Sequence, residues 1–318
     1  MTQRLRIAIF MGGPSSEHEV SLKTGAMVAA HLDREKYQPT KVVVSRKGRW
    51  PISFQNLRKN FDILFNAMHG EYGEDGTIQQ LLDGAGVPYT GSSVEASRLG
   101  MNKPGSMLFF TKKGLLVPPW RLYTKYRLLP SRLIDDISRL QLPLVIKPAD
   151  RGSSVGVSIV RSLAALPKAL RFARQYSSAV LLQKYIHGIE LTCGVLDRRG
   201  RPTALPVTEI VPKKSTFFDY RAKYESGGSD EITPARIPRV ISERVKRAAL
   251  LAHRAIGASG YSRSDFILDP KNKLWILEIN TLPGLTEASL LPKAARAAGI
   301  SFPKLLEFII ETALKTSD

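Results

Sequence analysis

The first third of the sequence alternates short apolar runs with segments of helical periodicity, and this alternation restricts the possible folds more than any other feature. Each apolar run is a strand candidate, and two of them end in Gly before a helical pattern begins. Such alternation is typical of parallel βαβ units, whose functional loops follow the carboxyl ends of the strands. The segments are, in order, RLRIAIFMGG, a helix over about 21–31, TKVVVS, FDILFNAMHG, a helix around TIQQLLDGA, and VPYTG.

The rest of the chain predicts further α/β structure. A boundary is expected near GMNKPGS, because Asn102 can cap a helix and Pro104 can open one. The middle section, with PLVIKPADRGSSVGVSIV and AVLLQKYIHGIELTCGVL, indicates a second small α/β lobe. Helices are predicted over about 163–175, 239–258, 290–298 and 302–314. The stretch 211–234 is predicted to be irregular, which is typical of a lid or a disordered loop.

The composition is that of a globular protein large enough for two or three lobes, with 318 residues of which 43% are hydrophobic. The first apolar run has five residues, which is too short for a signal-peptide core or a membrane span. A single cysteine, Cys193, excludes a disulfide framework, and both features favour the cytoplasm. The net charge of +19 is spread along the chain without a run of five like charges. We interpret it as an excess of solvated positive side chains on the surface, which can attract an anionic nucleotide. We expect neither nucleic-acid nor membrane binding.

The segment LWILEINTLPGLT carries two polar side chains in an apolar strand. Because side chains alternate along a strand, Glu278 and Asn280 share one face, and Leu277 is expected on the other. The preceding run SRSDFIL can pair with it through the turn DPKNK, which brings Asp265 opposite Glu278 and places Arg263 on the same face.

Oxygen ligands without His or Cys suit Mg²⁺ or Mn²⁺, so one interpretation of this hairpin is a cation site for a nucleotide. The alternative is a structural salt bridge from Arg263 to Asp265 or Glu278. The hairpin by itself does not separate these interpretations.

The segment KPADRGSSVGVS places Lys147 at the end of a strand and then a turn of small residues, Gly152, Ser153, Ser154 and Gly156. Small residues let backbone N–H groups approach phosphate oxygens, and Lys147 supplies positive charge. The segment is not a Walker A loop, because neither the Gly-Lys-Ser/Thr sequence nor a helix follows. A hairpin turn without a ligand is the alternative.

Two further loops carry candidate functional residues. The stretch KKSTFFDYRAKYESGG has no strand or helix period, and its tyrosines and lysines could close over a charged substrate; an exposed basic loop is the alternative. In GGPSSEHEVS, Ser16 and Glu19 fit a capping box, which leaves Glu17 for another role. His69 follows a strand end, where open α/β sheets expose ligand contacts, although a lone His is often a packing residue.

Seven motifs, taken in order, resemble those of the D-alanine–D-alanine ligases of the ATP-grasp superfamily. They are GGPSSEHEVS, MHGEYGEDGTIQ, VPYTGSS, IKPADRGSSVGVS, FFDYRAKY, SRSDF and LEINTLPGLT. The resemblance extends over nearly the whole chain. It implies an α/β, ATP-grasp fold of three lobes with a Rossmann-like N-terminal domain, with boundaries at residues 1–102, 103–190 and 191–318. It also implies ATP-dependent, Mg²⁺- or Mn²⁺-assisted formation of D-alanyl-D-alanine for peptidoglycan, in a cytoplasmic homodimer.

The same resemblance assigns site residues. The catalytic positions would be Glu17, Ser153, Tyr224 and Arg263. The positions that contact D-alanine would be His69, Gly284, Ser289 and Leu290. The nucleotide-binding positions would be Lys103, Lys147, Ser154, Gln183, Lys184, Tyr185, Ile186, Glu190 and Lys223. The metal ligands would be Asp265, Glu278 and Asn280.

The resemblance also implies what these groups do. Arg263 would stabilise the transferred phosphoryl group and a later oxyanion, together with backbone N–H groups near Gly284. Glu17 would orient the ammonium of the first D-alanine in a hydrogen-bonded set with Ser153 and Tyr224, and Ser289 with Leu290 would receive the carboxylate of the second.

Two positions depart from the family pattern, and two alternatives stay open. Gln183 stands where the adenine hinge usually begins with Glu, and Asn102 stands where Asp usually precedes Lys103. A related ligase that makes D-alanyl-D-lactate or D-alanyl-D-serine is one alternative, although Tyr224 resembles the dipeptide-forming members. A basic nucleotide-binding protein without turnover is the other.

Overall fold

The computed structural model describes residues 3–124, 130–198, 200–213 and 228–315, without the side chains of residues 130–132. The N-terminal strands form a parallel sheet in the order β2-β1-β3, which confirms the βαβ prediction: β1 (Leu5–Gly12), β2 (Tyr37–Val44) and β3 (Ile63–Asn66). The segment VPYTG adds a single bridge between Leu64 and Tyr89 rather than a strand. The helices of this region are α1 (His18–His31), α2 (Leu57–Asn60), α3 (Thr77–Ala85) and α4 (Val94–Met101).

Strand β1 lies at the centre of this sheet, and its side chains enter two hydrophobic cores, one on each face. Ile7 and Ile9 pack with residues of α1 and of the C-terminal helix α10 (Phe302–Lys315). Ala8 and Phe10 point to the other face, where they pack with residues of α3. All four side chains are fully buried, which explains why β1 is a continuous apolar run with no polar alternation. Because β1 and β3 run parallel, their carboxyl ends lie at the same end of the sheet.

The central strands form an antiparallel sheet in the order β4-β7-β5-β6, comprising β4 (Trp120–Thr124), β5 (Leu144–Pro148), β6 (Ser158–Val160) and β7 (Ala179–Lys184). Its helices are α6 (Pro130–Leu140) and α7 (Leu166–Arg174). Helix α7 was predicted over 163–175, and the structure begins this segment with a 3₁₀ turn, Leu163–Ala165. Pro167 in the first turn fits that start, because proline lacks the N–H that an interior helical position needs.

The third sheet has the order β11-β10-β8-β12-β13, with β9 also paired to β8. Its strands are β8 (Ile189–Arg198), β9 (Arg201–Ala204), β10 (Thr208–Pro212), β11 (Ser229–Ile232), β12 (Tyr261–Leu268) and β13 (Leu274–Asn280). Helices α5 (Lys103–Lys112), α8 (Arg239–Ala255) and α9 (Leu290–Ala297) contact it. Helix α8 ends three residues earlier than predicted, because Gly257 adopts a left-handed conformation with φ of +70°.

The prediction that 211–234 is irregular is wrong at both ends. Strands β10 and β11 pair antiparallel there, with Val211 opposite Asp230. Pro212 and the charged residues of β11 interrupt the apolar alternation, so these short strands could not be recognised in the sequence. The interior of the stretch, 214–227, lies outside the described residues.

Helix α5 joins the lobes. Asn102 caps it, since its Oδ1 accepts a hydrogen bond from the Gly105 N–H at 3.0 Å, and Pro104 lies in its first turn, as expected. Phe110 of α5 is fully buried in a hydrophobic cluster with residues of α8 and of the third sheet. Helix α5 therefore packs on the third sheet, although it comes before the central sheet in the sequence. The lobe boundaries at 102 and 190 stay a prediction. No helix in the described ranges has the length and apolar composition needed to cross a membrane.

Candidate active site

Two cavities meet where the three sheets converge. The larger, about 730 Å³, lies among the N-terminal loops, the Gly152–Ser153 turn and the segment that follows β13. The smaller, about 400 Å³, lies between the central and third sheets. Lys103 and Glu278 line both cavities, and their side chains form an ion pair of 3.3 Å. Two ligands bound in these cavities would therefore meet at this pair.

Glu17 stands at the first of these loops and contacts the turn after β5. Its Oε1 accepts a hydrogen bond of 2.6 Å from the Ser153 hydroxyl, so the predicted link between the two residues is present. Ser15 shapes the loop, since its hydroxyl donates to the His69 carbonyl at 2.6 Å and accepts from the Glu17 N–H. The Glu17 carboxylate is thus held in place in the wall of the larger cavity that the N-terminal loops form.

The capping box predicted for Ser16 and Glu19 is wrong. Helix α1 begins at His18 with Glu17 as the N-cap residue, and no side chain makes a capping hydrogen bond there. The Glu19 carboxylate pairs with Arg46 on the surface instead. The serine that organises this turn is Ser15, one position before the residue that the motif indicated.

His69 is buried behind the same loops. Its Nδ1 lies 3.1 Å from the Glu74 carboxylate, and its Nε2 lies 2.9 Å from the Thr24 hydroxyl. Burial opposes protonation, but the hydrogen bond and charge of Glu74, with a contribution from the charge of Glu17, outweigh it and raise the pKa of His69. The imidazole therefore has a supporting position beside Glu17 rather than an exposed one.

The opposite wall of the larger cavity is formed by the residues after β13. The Ser289 hydroxyl contacts the N–H and the hydroxyl of Thr286 at 3.0 and 2.8 Å, which closes a tight turn ahead of α9. Gly284 lies so close that a Cβ there would be 2.8 Å from Ser289 Oγ. Leu290 begins α9, so the backbone N–H groups at Ser289 and Leu290 lie at the positive end of a helix.

The hairpin has the register predicted for it. Asp265 pairs with Glu278, and Arg263 pairs with Asn280. Arg263 also makes two hydrogen bonds of 3.0 Å to the Asp265 carboxylate, which is the salt bridge foreseen as the alternative interpretation. Thr192 of β8 donates to Asp265 at 2.6 Å. The salt bridge does not exclude a cation site. Glu278 and Asn280 lie on the same face of the sheet as Asp265 and could share a cation with it.

The facing of Leu277 was predicted wrongly. The register shifts between Asp265 and Phe266, which pair with Glu278 and Ile276 and leave Leu277 as an extra residue in a β-bulge. Leu277 consequently lines the smaller cavity next to Glu278, whereas Ile276 and Ile279 are both buried in the core. Simple alternation cannot anticipate a bulge, because the extra residue leaves no mark in the apolar pattern.

The hairpin side chains suit a divalent cation. Asp265, Glu278 and Asn280 offer oxygen donors only, and hard Mg²⁺ or Mn²⁺ prefers such donors. Asn280 Oδ1 also accepts from the Leu282 N–H at 2.7 Å, which fixes the amide with its oxygen defined. No group of three or more His, Cys, Asp or Glu side chains clusters in a metal-binding arrangement within the described ranges, and the set here contains two carboxylates. Its remaining donors would come from a nucleotide.

The smaller cavity holds the residues predicted to bind a nucleotide. Lys147 lines it and is almost fully buried. The segment 183–186 lies along one side and Glu190 along another. The Gln183 side chain is buried and lines the cavity, and its amide donates to the Met107 sulfur at 3.7 Å.

The turn after β5 has the backbone of an anion site. Ser153 and Ser154 both adopt left-handed conformations, with φ of 52° and 56°, and Gly156 follows with φ of 73°. Such conformations are uncommon for residues other than Gly and cluster at functional sites. Turns with such conformations can present backbone N–H groups to an anion, as phosphate-binding turns do. Lys223 and Tyr224, predicted to lie in a lid over this region, fall outside the described residues.

Models of known protein families match the chain over most of its length. The model described as D-ala D-ala ligase N-terminus matches residues 6–58 and 51–92, and the model described as D-ala D-ala ligase C-terminus matches residues 109–311. The chain belongs to the D-alanine–D-alanine ligase family. The resemblance inferred from seven motifs is therefore confirmed.

Relatives and solved structures of the D-alanine–D-alanine ligase family cover nearly the whole chain. A D-alanine–D-alanine ligase from Geotalea uraniireducens is 42% identical over 97% of this chain and 95% of its own. A D-alanine–D-alanine ligase from Bacillus anthracis, solved in complex with ATP, is 35% identical with a TM-score of 0.81 over 98% of both chains. A D-Ala:D-Ser ligase from Enterococcus faecalis is 28% identical with a TM-score of 0.87, over 98% of this chain and 100% of its own. The α/β ATP-grasp fold is confirmed.

Some contacts around the site of this family member were not predicted from the sequence. Thr192, Glu74 and Arg151 each contact a predicted site residue or its loop. Glu74 could have been found, since it lies in the same motif as His69. Arg151 and Thr192 could not, because their partners, Lys103 and Asp265, are 48 and 73 positions away in the sequence and no local pattern records that proximity.

Proposed function

We propose that this protein joins two D-alanine molecules to give D-alanyl-D-alanine, with conversion of ATP to ADP and phosphate, for peptidoglycan synthesis. The observation that carries the proposal is the wall shared by the two cavities. A nucleotide in the smaller cavity and an amino acid in the larger one would face each other at Lys103 and Glu278. Membership of the ligase family supports the same reaction.

The first step activates a carboxylate, which by itself is a poor acyl donor. A carboxylate oxygen of the first D-alanine attacks the γ-phosphorus, an O–P bond forms, and the bond to the bridging oxygen breaks so that ADP leaves. Lys103, Lys147 and the N–H groups around Ser154 hold the phosphates, and the Arg263 guanidinium faces the transferred group. Catalysis here consists mainly of positioning and charge stabilisation.

Asp265, Glu278 and Asn280 would hold Mg²⁺ or Mn²⁺. When bound, the cation would neutralise charge on the β- and γ-phosphate oxygens during transfer. The neighbouring Arg263 is fixed by two hydrogen bonds to Asp265, so its guanidinium keeps a defined orientation on the same face.

The second step forms the peptide bond. The amine of the second D-alanine, in its neutral form, attacks the acyl carbon; a C–N bond forms, the C–O bond to phosphate breaks, and the nitrogen loses a proton. Arg263 and the N–H groups near Gly284 stabilise the oxyanion of the tetrahedral intermediate. Ser289 and Leu290, at the start of α9, receive the carboxylate of the second amino acid.

The other predicted residues orient the substrates. Glu17 accepts the ammonium of the first D-alanine, and its hydrogen bond to Ser153 keeps it aligned. His69 supports that loop, and the family resemblance assigns the exclusion of water to Tyr224 and Lys223, which lie outside the described residues. Along the smaller cavity, Gln183, Lys184, Tyr185 and Ile186 form the adenine hinge, and Glu190 takes the ribose hydroxyls. The protein works as a cytoplasmic homodimer.

The deciding experiment is phosphate release from ATP and Mg²⁺ with D-alanine, L-alanine or no amino acid, with the product compared with authentic dipeptide. We expect release that requires D-alanine and yields D-alanyl-D-alanine. Release that is absent or indifferent to D-alanine would contradict the proposal.

A second acceptor is worth including because a D-Ala:D-Ser ligase has the same fold over the whole chain. D-serine and D-lactate are therefore tested beside D-alanine as the second substrate. We expect D-alanine to be preferred, in line with relatives about 40% identical that are D-alanine–D-alanine ligases. Preference for D-serine would change the acceptor and leave the reaction class intact.

A further inference from the structure

A second contact joins the Gly152–Ser154 turn to the N-terminal loops. Glu17 lies in the loop after β1, and Glu71 lies in the loop after β3, which is bonded to the first loop through Ser15 and the His69 carbonyl. Arg151 Nη1 lies 3.0 Å from Glu71 Oε1. Arg151 precedes the Gly152–Ser154 turn, and Glu71 follows His69 and Gly70 in the N-terminal loop. The pair therefore links Arg151, which lines the smaller cavity, to the loop whose His69 and Glu74 line the larger one.

Arg151 is anchored on the nucleotide side by two other bonds. Its Nε donates to the Tyr176 carbonyl at 2.8 Å, which ties the guanidinium to the central lobe. Its own carbonyl accepts from Lys103 Nζ at 2.7 Å, and Lys103 forms the ion pair with Glu278. A displacement of Arg151 would consequently move a lysine that lines both cavities.

Glu71 is presented by an equally ordered loop. The next residue, Tyr72, has a φ of 74°, and its N–H donates to Asp75 Oδ2 at 2.9 Å. The Gly73 carbonyl accepts from the side-chain amides of Asn66 and Gln79 at 3.0 and 2.8 Å. Because the backbone on each side of the bridge is fixed, the Glu71–Arg151 distance sets the separation of the two loops.

We propose that Glu71 and Arg151 are positioning residues that couple nucleotide binding to binding of the first D-alanine. The inference rests on the proposed function. Closing the bridge brings the turn that carries Ser153 against Glu17, so a nucleotide that orders this turn also completes the site for the amino acid's ammonium. By linkage, D-alanine strengthens nucleotide binding by the same factor.

The bridge is poorly placed to serve as a stability device. The Arg151 and Glu71 side chains are 34% and 38% exposed, and ion pairs of that exposure contribute little to the free energy of unfolding. Its loss should therefore appear in the coupling between ligands and leave the melting temperature nearly unchanged.

The test is a double-mutant cycle of Glu71→Gln, Arg151→Gln and the double variant. The affinity for D-alanine is measured by titration calorimetry with and without a non-hydrolysable ATP analogue, and the ratio gives the coupling factor. We expect each single variant to reduce this factor about two- to five-fold, with the double variant no worse than either single one. Added salt should lower the factor in the wild type and hardly change it in the double variant.

Glu243→Gln is the matched control, since it removes a solvent-exposed ion pair with Lys246 on α8 without touching either loop. It should leave the coupling factor unchanged. Unchanged coupling in both single variants, or effects that add in the double variant, would overturn the inference. If the wild type released phosphate with D-alanine and the cycle still showed no coupling, this inference would fail and the proposed function would stand. If the wild type released none, the proposed function itself would fail.

Discussion

At the scale of single residues, the candidate chemistry depends on side chains whose orientation is fixed by partners on the same strand, on a neighbouring strand or on helix α5. Arg263 is held by Asp265, Asp265 by Thr192, and Glu278 by Lys103. A change at one of these positions therefore affects a neighbour that lines the same cavity.

Glu278→Gln should abolish most Mg²⁺-dependent turnover. The substitution keeps the shape of the side chain but removes the charge opposite Lys103 and the carboxylate that suits the cation. Loss of a metal-ion contribution of a few kcal/mol corresponds to a fall of about 100-fold in kcat/KM. Steady-state phosphate release measures the effect, with the melting temperature as the check on folding. Near-normal activity of the Glu278→Gln variant would contradict the assignment of Glu278 as a metal ligand.

Gly284→Ala should weaken use of the second D-alanine. The added Cβ would lie 2.8 Å from Ser289 Oγ, so the serine hydroxyl must turn away from Thr286 and leave the position from which it would contact the carboxylate. Displacements near 1 Å at a reacting site can cost about 100-fold, and we expect kcat/KM for D-alanine to fall by about ten- to 100-fold. Gly84→Ala is the control, because a Cβ there meets nothing within 4 Å. Equal kinetics for the two variants would contradict this role of Gly284.

His69 should give stability a defined pH dependence. Burial opposes protonation, but Glu74 outweighs it, so the pKa of His69 in the folded protein lies above the 6.5 of an ordinary histidine. The stability gained from the protonated form is thus fully present below about pH 6.5 and is lost as pH rises through the folded-state pKa. The difference in unfolding free energy between wild type and His69→Asn should shrink over that window, as denaturant titrations at several pH values would measure. A difference independent of pH would refute this, and His31→Asn, at an exposed histidine, is the control.

At the scale of elements, the sequence was informative where pairing is local. The βαβ units, the cap at Asn102 and the hairpin register all follow from neighbouring residues, and the structure has each of them. The bulge at Leu277 and the strands β10 and β11 were missed, because their signals were interrupted by an extra residue or by proline and charge. The bridge between Glu71 and Arg151 was beyond local patterns altogether, since 80 positions of sequence separate its partners.

Asn102→Ala should destabilise the protein through the start of α5. The substitution removes the acceptor of the Gly105 N–H, and loss of such a cap costs about 1 kcal/mol of unfolding free energy. Asn102→Asp should retain the stability, since a carboxylate also accepts this hydrogen bond and interacts favourably with the helix N-terminus. Urea titrations measure both variants. Equal losses for alanine and aspartate would show that the cap contributes nothing.

At the scale of the whole molecule, the net charge of +19 surrounds a site proposed for an anionic nucleotide. Charge of one sign raises the local concentration of an oppositely charged ligand and speeds its association. Helix α5, the central sheet and the third sheet contribute Lys103, Lys147 and Arg263 to the cavities, so positive side chains line the site as well as the surface.

ATP association should consequently be sensitive to salt. Raising the ionic strength from about 0.01 M to about 0.1 M shortens the Debye length from about 30 Å to about 10 Å, and the association rate constant should fall several-fold. Stopped-flow mixing with a fluorescent ATP analogue measures the rate. D-alanine, which carries no net charge as a zwitterion, is the control ligand and should associate at a nearly constant rate. A salt-independent rate for the ATP analogue would exclude steering.

The bulge at Leu277 also affects how this strand can change length during evolution. With one extra residue, β13 presents Leu277 and Glu278 side by side to the smaller cavity and still returns Ile279 to the core. Substitutions there can be sampled one at a time. Removal of Leu277 would also keep Asp265 opposite Glu278 and Arg263 opposite Asn280, because Leu277 is the extra residue of the pairing. Removal of the paired Ile279 would instead slip the end of the strand by one residue and turn Asn280 toward the core. The bulge therefore gives this strand a position at which it can shorten without displacing its acidic side chains.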